Sequence, residues 1–346
     1  MMDGGQRPIH YPREAPPAPG EAVEIAEGVL WARLPLPGVL DHVNVYALDD
    51  GDGWTVVDTG MDTPKARAVW EVLLTGPLSG RPLRRQIVTH YHPDHMGLAA
   101  WLVGQGAELW TTRTSWMLAR MLVLDVEERH SPATLSFWRD AGMDGETFAM
   151  KSAERPWNFT DTVGLPPAGF RRIAEGDVLR AGGRDWQVRM GEGHAPEQAT
   201  LWSEDDALVL GADQLLPTIS PNLSVYPSEP LADPIAGWLE SCDRLAGFAT
   251  EGQLVLPGHK LPFTGLPLRL AQMSSNHHDA LARLHRLIET PRVAVECFGP
   301  LFARVVTPDI YLMALGETVA HLNHLLLAGR ATRARRADGA WLWRAA

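Results

Sequence analysis

Short apolar runs rich in β-branched residues alternate with stretches of helical periodicity through most of the chain. Two strand-type runs, 41–48 and 54–58, flank a turn rich in Asp and Gly at 49–53, and this pattern predicts a β-hairpin. Thr63 followed by Pro64 is typical of a helix start. The alternation of strand and helix patterns predicts a mixed α/β chain.

Changes of pattern along the chain predict three domain boundaries and one insertion. Residues 1–21 are rich in Pro, Gly and charge and are expected to form a disordered tail. The strand-rich pattern at 22–265 is interrupted at about 114–160 by a helical insertion loaded with Met and aromatic residues. A connecting helix is predicted at 266–290, followed by a small separate module at 291–346.

The last quarter of the chain is predicted to be helical until its final hairpin. His277 and His278 lie in the connecting helix, and we expect them to face solvent or a partner rather than a metal. A short helical piece is predicted at 311–314, and a longer helix at 316–329 that is closed by its terminal glycine.

Composition narrows the class of protein. The chain has 346 residues, and no apolar run reaches the length of a membrane span. The amino terminus lacks an apolar signal core, and the chain has only two cysteines, so we expect a reducing, cytoplasmic location. The formal net charge of −11 disfavours indiscriminate binding to a phosphate backbone.

Four candidate metal ligands fall at the end of a strand-type run. His90 and His92 are two residues apart and would project to one side of an extended segment, whereas Asp94 and His95 follow where the chain bends. Imidazole and carboxylate groups suit Zn²⁺, Fe²⁺ or Mn²⁺, and two groups of ligands indicate two ions. The alternative, a solvated His-rich turn, is weaker because such crowded groups favour a cation between them.

This His-x-His-x-Asp-His stretch resembles the signature of the metallo-β-lactamase superfamily. Three later residues match the rest of that signature in order, each after a strand-type run. His194 lies in a Gly-His turn, Asp213 follows Gly-Ala, and His259 lies in a second Gly-His turn.

The resemblance implies a fold class: the αββα metallo-β-lactamase sandwich, with a helical insertion and a small C-terminal winged-helix-like domain. The whole chain looks like a glyoxalase II-like hydrolase of the subgroup that carries such a C-terminal module. Two divalent ions are implied, with zinc first and iron or manganese as alternatives. The expected ligands are His90, His92 and His194 for one ion, Asp94, His95 and His259 for the other, and Asp213 between them.

The resemblance also implies residues around the metals. Asp58, in an Asp-Thr-Gly stretch, is expected to orient a ligand histidine, although capping a turn is the alternative. One departure affects the turn after His194, because many members of the superfamily have Pro-Gly where this chain has Pro196 and Glu197. Candidate substrate-lining residues are His42, His130, Ser220, Asn222 and Tyr226.

The ligand set predicts the chemistry. Two cations lower the pKa of a water between them, so a metal-bridging hydroxide is the expected nucleophile, with Asp94 and Asp213 as the catalytic carboxylates. The apolar insertion and the glyoxalase II resemblance favour a thioester, ester or lactone of a small apolar acyl substrate. The rival hypothesis is a metal-dependent endoribonuclease on single-stranded RNA. Redox relatives and a non-catalytic binding role fit this ligand set less well.

The C-terminal module could bind nucleic acid or serve for packing, and its sequence bears on both alternatives. Residues 291–346 carry seven arginines against four carboxylates, and Arg333, Arg335 and Arg336 lie in the predicted hairpin, where a wing would meet phosphate. Leu322 and Leu325 indicate that the preceding helix is buried, however, so packing or homodimerisation is favoured over nucleic-acid binding. We expect a small-molecule substrate and no membrane partner.

Overall fold

The computed structural model describes residues 8–302 and 305–346. The described chain forms two compact units. The first consists of the residues up to Val126, Asn158–Ser220 and Leu245–Leu270, and the second of Glu127–Trp157, Pro221–Arg244 and Ala271–Ala346.

A seven-stranded mixed sheet forms half of the first unit, with its strands in chain order. The strands are β1 (Val23–Ala26), β2 (Val29–Pro35), β3 (His42–Asp49), β4 (Trp54–Val57), β5 (Leu83–Val88), β6 (Glu108–Thr111) and β7 (Arg171–Arg172). Strands β1 to β4 pair antiparallel, and β4 to β7 pair parallel. The predicted hairpin is confirmed, because β3 and β4 pair with Asp49 opposite Trp54.

A five-stranded sheet, in the order β12-β11-β10-β9-β8, forms the other half. Its strands are β8 (Val178–Ala181), β9 (Arg184–Gly191), β10 (Gln198–Ser203), β11 (Leu208–Ala212) and β12 (Leu254–Pro257). Strands β11 and β12 are parallel, so their carboxyl ends meet at one edge of the sheet.

Apolar side chains from both sheets share one core. Trp31 and Ile87 of the first sheet pack in the same buried cluster as Trp186 and Leu201 of the second. Each such side chain removed from water contributes about 1.5–3 kcal/mol, so this core fixes the two sheets together. It thereby fixes the loops at their strand ends.

Helices surround the sheets and form most of the second unit. They are α1 (Pro64–Thr75), α2 (Pro93–Met96), α3 (Ala99–Gly104), α4 (Arg113–Leu124), α5 (Pro132–Asp140), α6 (Gly145–Ala153), α7 (Pro234–Ala246), α8 (Leu266–Leu287), α9 (Phe298–Leu301) and α10 (Tyr311–Leu327), with 3₁₀ turns at Phe159–Asp161 and Ala294–Cys297. The predicted start of α1 is confirmed, because the Thr63 hydroxyl accepts a hydrogen bond from the N–H of Ala66. Trp70 and Leu73 on α1 are buried in a cluster with Leu34 of β2, so α1 covers one face of the first sheet.

The predicted helical insertion contains α4, α5 and α6. Helix α4 belongs to the first unit, whereas α5 and α6 belong to the second. On α4, Met117 and Met121 are exposed, while Ala119 and Val123 are buried. The helix therefore packs through one face and presents methionines on the other.

In the second unit, α10 is one continuous helix, whereas two pieces were predicted on either side of residue 315. The prediction was wrong because Gly316 does not break the helix. A Cβ at Gly316 would lie 2.9 Å from the carbonyl oxygen of Val225, so the glycine allows a close approach of two backbones.

His277 corrects a second prediction. Its side chain is buried, with Nδ1 3.4 Å from Nε2 of His321 and its ring 6.2 Å from that of Trp238, whereas His278 is exposed as predicted. The physical reason is helical spacing, because residue 277 falls on the same face of α8 as the buried Met273, Leu281 and Leu284.

The second unit ends in an antiparallel hairpin of β13 (Ala331–Arg335) and β14 (Trp341–Ala345). The hairpin follows helices, as predicted, and its description as a winged helix stays a prediction. In the described part of the chain, no helix is long and apolar enough to cross a membrane.

Candidate metal centre

The centre begins where β5 ends. The chain leaves β5 at Val88, and the short helix α2 starts at Pro93 with Asp94 in its first turn and His95 next to it. Because the turn is short, His90 and His92 lie on the incoming segment and Asp94 and His95 on the outgoing one. The local sequence thus aims two ligand groups at neighbouring points.

One group contains three imidazoles. Nε2 of His90 lies 3.0 Å from Nδ1 of His92, and the same Nδ1 lies 2.9 Å from Nε2 of His194. His194 is brought in by the loop between β9 and β10. Three nitrogen atoms facing one another at this spacing match three donors around a single cation.

The other group contains two imidazoles and two carboxylates. Nε2 of His259 lies 3.2 Å from Oδ2 of Asp94 and 3.2 Å from Oδ2 of Asp213. Nε2 of His95 lies 3.4 Å from Oδ1 of Asp213 and 3.6 Å from Oδ2 of Asp94. Asp213 and His259 directly follow β11 and the end of β12, so the parallel pair of strands delivers them together.

Asp213 connects the two groups. Its Oδ2 is also 3.3 Å from Nε2 of His194, which belongs to the three-imidazole group. Asp213 therefore has neighbours in both groups, and its role as a ligand shared by two ions stays a prediction.

Two buried atoms test whether a cation fits. Nε2 of His95 and Oδ1 of Asp213 are buried and have no hydrogen-bond partner among the residues that the structure describes. A buried polar atom without a partner costs roughly 1–3 kcal/mol, and a cation between these atoms would satisfy both. The residues therefore fit divalent metal ions.

Asp58 holds the first ligand segment. Its carboxylate accepts hydrogen bonds from the N–H of Thr89 at 2.8 Å, the hydroxyl of Thr89 at 3.0 Å and Nδ1 of His95 at 2.8 Å. The Asp58 backbone has φ of +62°, a conformation that non-glycine residues rarely adopt and that these bonds maintain. The contact with His95 agrees with the role expected of Asp58, in which Nδ1 donates and Nε2 points to the metal.

Thr89 was not identified from the sequence. Its hydroxyl oxygen lies 3.0 Å from Nδ1 of His90, so it can accept the N–H of His90 while donating to Asp58. One carboxylate thus orients a ligand in each group, directly for His95 and through Thr89 for His90. The position of Thr89 immediately before a ligand histidine was the only signal.

His42 holds His259 through its backbone. The carbonyl oxygen of His42 lies 2.8 Å from Nδ1 of His259. The buried imidazole of His42 lies between Oδ1 of Asp41, at 2.6 Å, and the N–H of Lys260, at 3.0 Å. The structure thus places His42 beside a ligand, and its predicted contact with substrate stays a prediction.

Gly258 makes room for this arrangement. A Cβ at this position would lie 2.2 Å from Oδ1 of Asp213 and 3.0 Å from Cε1 of His95. Any side chain here would displace a candidate ligand, which explains the Gly-His pair on physical grounds.

The turn after His194 departs from the usual Pro-Gly but keeps an unusual backbone. Glu197 has φ of +48°, in the region that favours glycine. Its Oε2 accepts a hydrogen bond of 3.0 Å from the N–H of Thr114 at the start of α4. Hydrogen bonds with Thr114 lower the pKa of Glu197. Through these bonds the carboxylate holds the turn in a backbone conformation that glycine adopts more readily.

The electrostatics of the two groups differ. Burial, together with the neighbouring imidazoles, lowers the pKa of His90 and lowers that of His92 to about 3. Burial alone would also lower the pKa values of His95 and His259, but Asp213 and Asp94 outweigh it, and they raise that of His259 to about 10. His90 and His92 therefore offer neutral imidazoles, the form that binds metals, and the second group supplies the negative charge.

The remaining substrate-lining candidates are divided between the two units. Ser220 is exposed in the first unit, whereas His130, Asn222 and Tyr226 belong to the second unit. Nδ2 of Asn222 donates to Glu317 at 3.0 Å, and the ring of His130 lies 4.7 Å from that of Trp138. Their contact with substrate stays a prediction.

Comparison with known families identifies both parts of the chain. The family described as the metallo-beta-lactamase superfamily matches residues 38–259, and the family described as the metallo-beta-lactamase-like C-terminal domain matches residues 267–346.

Similar proteins and structures cover most of the chain. A crystal structure of a beta-lactamase domain protein from Burkholderia ambifaria is 35% identical, covers 98% of this chain and 97% of its own, and has a TM-score of 0.88. A metallo-beta-lactamase family protein from Thermus thermophilus is 26% identical, covers 93% of this chain and 100% of its own, with a TM-score of 0.78. The "Probable metallo-hydrolase YqjP" of Bacillus subtilis (strain 168) is 26% identical over 86% of this chain and 92% of its own length. A linear primary-alkylsulfatase of Pseudomonas sp. (strain ATCC 19151) is 23% identical over 68% of this chain and 44% of its own length.

Proposed function

This chain belongs to the metallo-beta-lactamase superfamily, and from that premise we propose that it is a binuclear metal-dependent hydrolase of thioesters, esters or lactones with a small apolar acyl group. The observation that carries the proposal is the position of Asp213, whose Oδ2 lies 3.3 Å from His194 in one ligand group and 3.2 Å from His259 in the other. A relative named as a metallo-hydrolase supports the reaction class.

The ligand groups would hold one ion each. His90, His92 and His194 would hold the first; Asp94, His95 and His259 would hold the second, with Asp213 shared. Zinc suits this mixture of imidazole and carboxylate, and iron or manganese would also fit it. When bound, such ions supply an activated water at neutral pH and polarise the oxygen of the scissile bond.

The chain's own residues prepare this chemistry. Asp58 accepts the N–H of Nδ1 of His95, the His42 carbonyl accepts that of His259, and Thr89 accepts that of His90. Each bond holds a proton on Nδ1 and aims Nε2 at the centre, so that Nε2 is the nitrogen that would bind an ion. The Asp94 carboxylate is positioned to take a proton during turnover, because it lies at the centre and remains partly exposed.

A buried apolar cluster next to His92 supports an apolar substrate. The ring of Tyr91 lies 4.5 Å from the ring of His92 and stacks with Phe159 at 6.1 Å. Tyr91 and Phe159 share a buried cluster with Ala119 and Val123 of α4, the helix that exposes Met117 and Met121. Aromatic side chains of this kind commonly line sites for acyl groups.

The charges of the hairpin weigh against the endoribonuclease alternative. Arg335 forms an ion pair with Asp140. Nε of Arg336 donates a hydrogen bond of 2.9 Å to Oδ1 of Asp338. The whole chain carries a formal charge of −11. Both observations favour a small-molecule substrate over single-stranded RNA.

A sulfate ester is the second candidate substrate class. The observation that favours it is the similarity to the linear primary-alkylsulfatase, of which this chain spans less than half. Such a substrate would share the apolar tail of the acyl esters and differ in the bond that is cleaved.

The compartment and assembly remain part of the proposal. Cys242 and Cys297 are both buried, and such sparse use of cysteine agrees with a reducing, cytoplasmic environment. We also propose that the protein forms a homodimer, with the C-terminal module at 291–346 at the interface.

A panel of substrates tests the proposal. The purified protein is loaded in turn with Zn²⁺, Mn²⁺ and Fe²⁺ and assayed with acyl-CoA, acyl-glutathione, lactone and alkyl sulfate substrates and with single-stranded RNA. Turnover of a carbonyl substrate that Asp94→Asn abolishes is the expected result. Cleavage of alkyl sulfate alone would select the second candidate, and cleavage of RNA alone would overturn both.

A further inference from the structure

The second unit contains a cleft of about 240 Å³ that has no part in the metal centre. Its walls include apolar side chains, among them Leu231 of a loop, Val319 of α10, and Trp341 and Trp343 of β14. Arg333 and Arg335 of β13 line the same cleft. The cleft is slightly smaller than usual ligand pockets, which hold about 300–1,000 Å³, so a short ligand fits it best.

The two arginines are held against the indole rings. The guanidinium carbon of Arg333 lies 4.2 Å from the ring centre of Trp341 and 5.1 Å from that of Trp343. That of Arg335 lies 3.8 Å from the ring centre of Trp341. Cation–π contact orients both groups and removes part of their water.

Only one of these charges is balanced by a carboxylate of the cleft. Arg335 forms an ion pair with Asp140, with Nη2 3.2 Å from Oδ2. Arg333 has no carboxylate within 4.0 Å and no side-chain hydrogen bond in the two described segments of the chain. Burial and the adjacent Arg335 lower the pKa of Arg333, and the more distant Asp140 opposes them only in part, so the charge of Arg333 is incompletely compensated.

We propose that this cleft binds a small anionic amphiphile, in which a carboxylate or sulfate headgroup pairs with Arg333 and a short apolar tail lies against Val319 and Leu231. A planar guanidinium presents two parallel donors to such a headgroup, and partial burial strengthens the pairing. Leu231 is 56% exposed although it lines the cleft, so a tail would cover apolar surface that now faces water.

Calorimetric titration of the full-length protein tests this inference. The probes are octanoate, octyl sulfate and uncharged octanol, each below its micelle concentration. Arg333→Gln keeps a polar side chain but removes the charge, and Arg344→Gln is the matched control, because Arg344 is exposed on the same hairpin and does not line the cleft. Leu231→Glu, at an exposed position, brings a negative charge to the cleft without disturbing the core.

We expect the anions to bind wild-type protein and Arg344→Gln equally. Arg333→Gln should weaken anion binding by about tenfold or more, the usual effect of losing a charge-assisted hydrogen bond. Leu231→Glu should also weaken anion binding, because its carboxylate repels the anionic headgroup. Octanol binding should not respond to Arg333→Gln. Binding of only one of the two anions would support the cleft and identify the headgroup.

Three results of the anion titrations would overturn the inference. They are absence of anion binding to the wild type, equal affinity in wild type and Arg333→Gln, and an equal loss in Arg333→Gln and Arg344→Gln. An anion bound at the metal centre would respond alike to both arginine variants, so it would not be mistaken for the cleft. The inference would also be contradicted if single-stranded RNA displaced octanoate from the protein at a concentration below that of octanoate.

Discussion

Two sets of buried histidines differ in what faces them. In the first unit, His95 and His259 face Asp94 and Asp213, whose charges outweigh burial and raise the histidine pKa values. In the second unit, burial lowers the pKa of His277 to about 3 and that of His321 to about 4. Burial of histidine is therefore no sign of a metal site, whereas imidazoles converging with buried carboxylates are.

The largest effect is expected where the two ligand groups meet. Asp213→Asn keeps the shape of the side chain but removes the charge next to His194 and His259. Metal catalysis supplies several kcal/mol, so kcat/KM should fall on the order of a thousandfold, with reduced metal content. Kinetics and elemental analysis of the same preparation check this. Unchanged metal content with full activity would contradict the bridging role.

A smaller effect is expected one contact away from the metals. Asp58→Asn presents an amide to Nδ1 of His95 and disturbs the acceptor that this histidine and Thr89 share. Such outer contacts are worth about 10–100-fold in metal affinity or activity. A competition assay with a chelator measures the affinity. Thr89→Val, which removes only the hydroxyl, should weaken the affinity less, and the reverse order would refute the proposed relay.

The histidine pair of the second unit should make stability depend on pH. The folded pKa values of about 3 and about 4 lie below the ordinary value of 6.5, so the unfolded chain binds more protons. The stabilisation is therefore complete above pH 6.5 and is lost as the pH falls towards 4, by about 2 kcal/mol per histidine at pH 5. Urea unfolding at pH 7.5 and pH 5 measures it.

A neighbouring residue provides the control for that measurement. His277→Gln should reduce the difference between the two pH values, whereas His278→Gln, at an exposed position, should leave it unchanged. Equal effects of the two substitutions would mean that burial of His277 does not control the acid sensitivity.

The smallest effect is expected at the surface. The ion pair of Arg335 and Asp140 has side chains that are 48% and 30% exposed. Exposed pairs contribute about 0–1 kcal/mol, so Asp140→Asn should change the free energy of unfolding by less than about 1 kcal/mol. Thermal unfolding at low and high salt measures it, and a larger loss would show that the hairpin depends on this pair.

Patterns along the sequence predicted the strand ends that carry the ligands, because strand periodicity and Gly-His turns are local. The same patterns gave no information on Thr89, because its importance lies in the direction of hydrogen bonds to Asp58 and His90. Such directions depend on how β4 and β5 pair, and spacing within one strand does not specify them.

The errors in the second unit have different causes. The burial of His277 could have been inferred from its spacing to Met273 and Leu281, but the polar neighbour His278 obscured it. Gly316 was predicted as the first residue of a separate helix, whereas it lies inside α10, where Ser224 and Val225 approach it so closely that only glycine fits. That approach joins residues far apart in the sequence, and propensity within α10 could not reveal it.

The most direct test of the binuclear centre is anomalous diffraction from crystals of the metal-loaded protein. We predict two peaks, one bound by His90, His92 and His194 and the other bound by Asp94, His95 and His259, with Asp213 between them. A single peak, or two peaks away from these residues, would contradict the account.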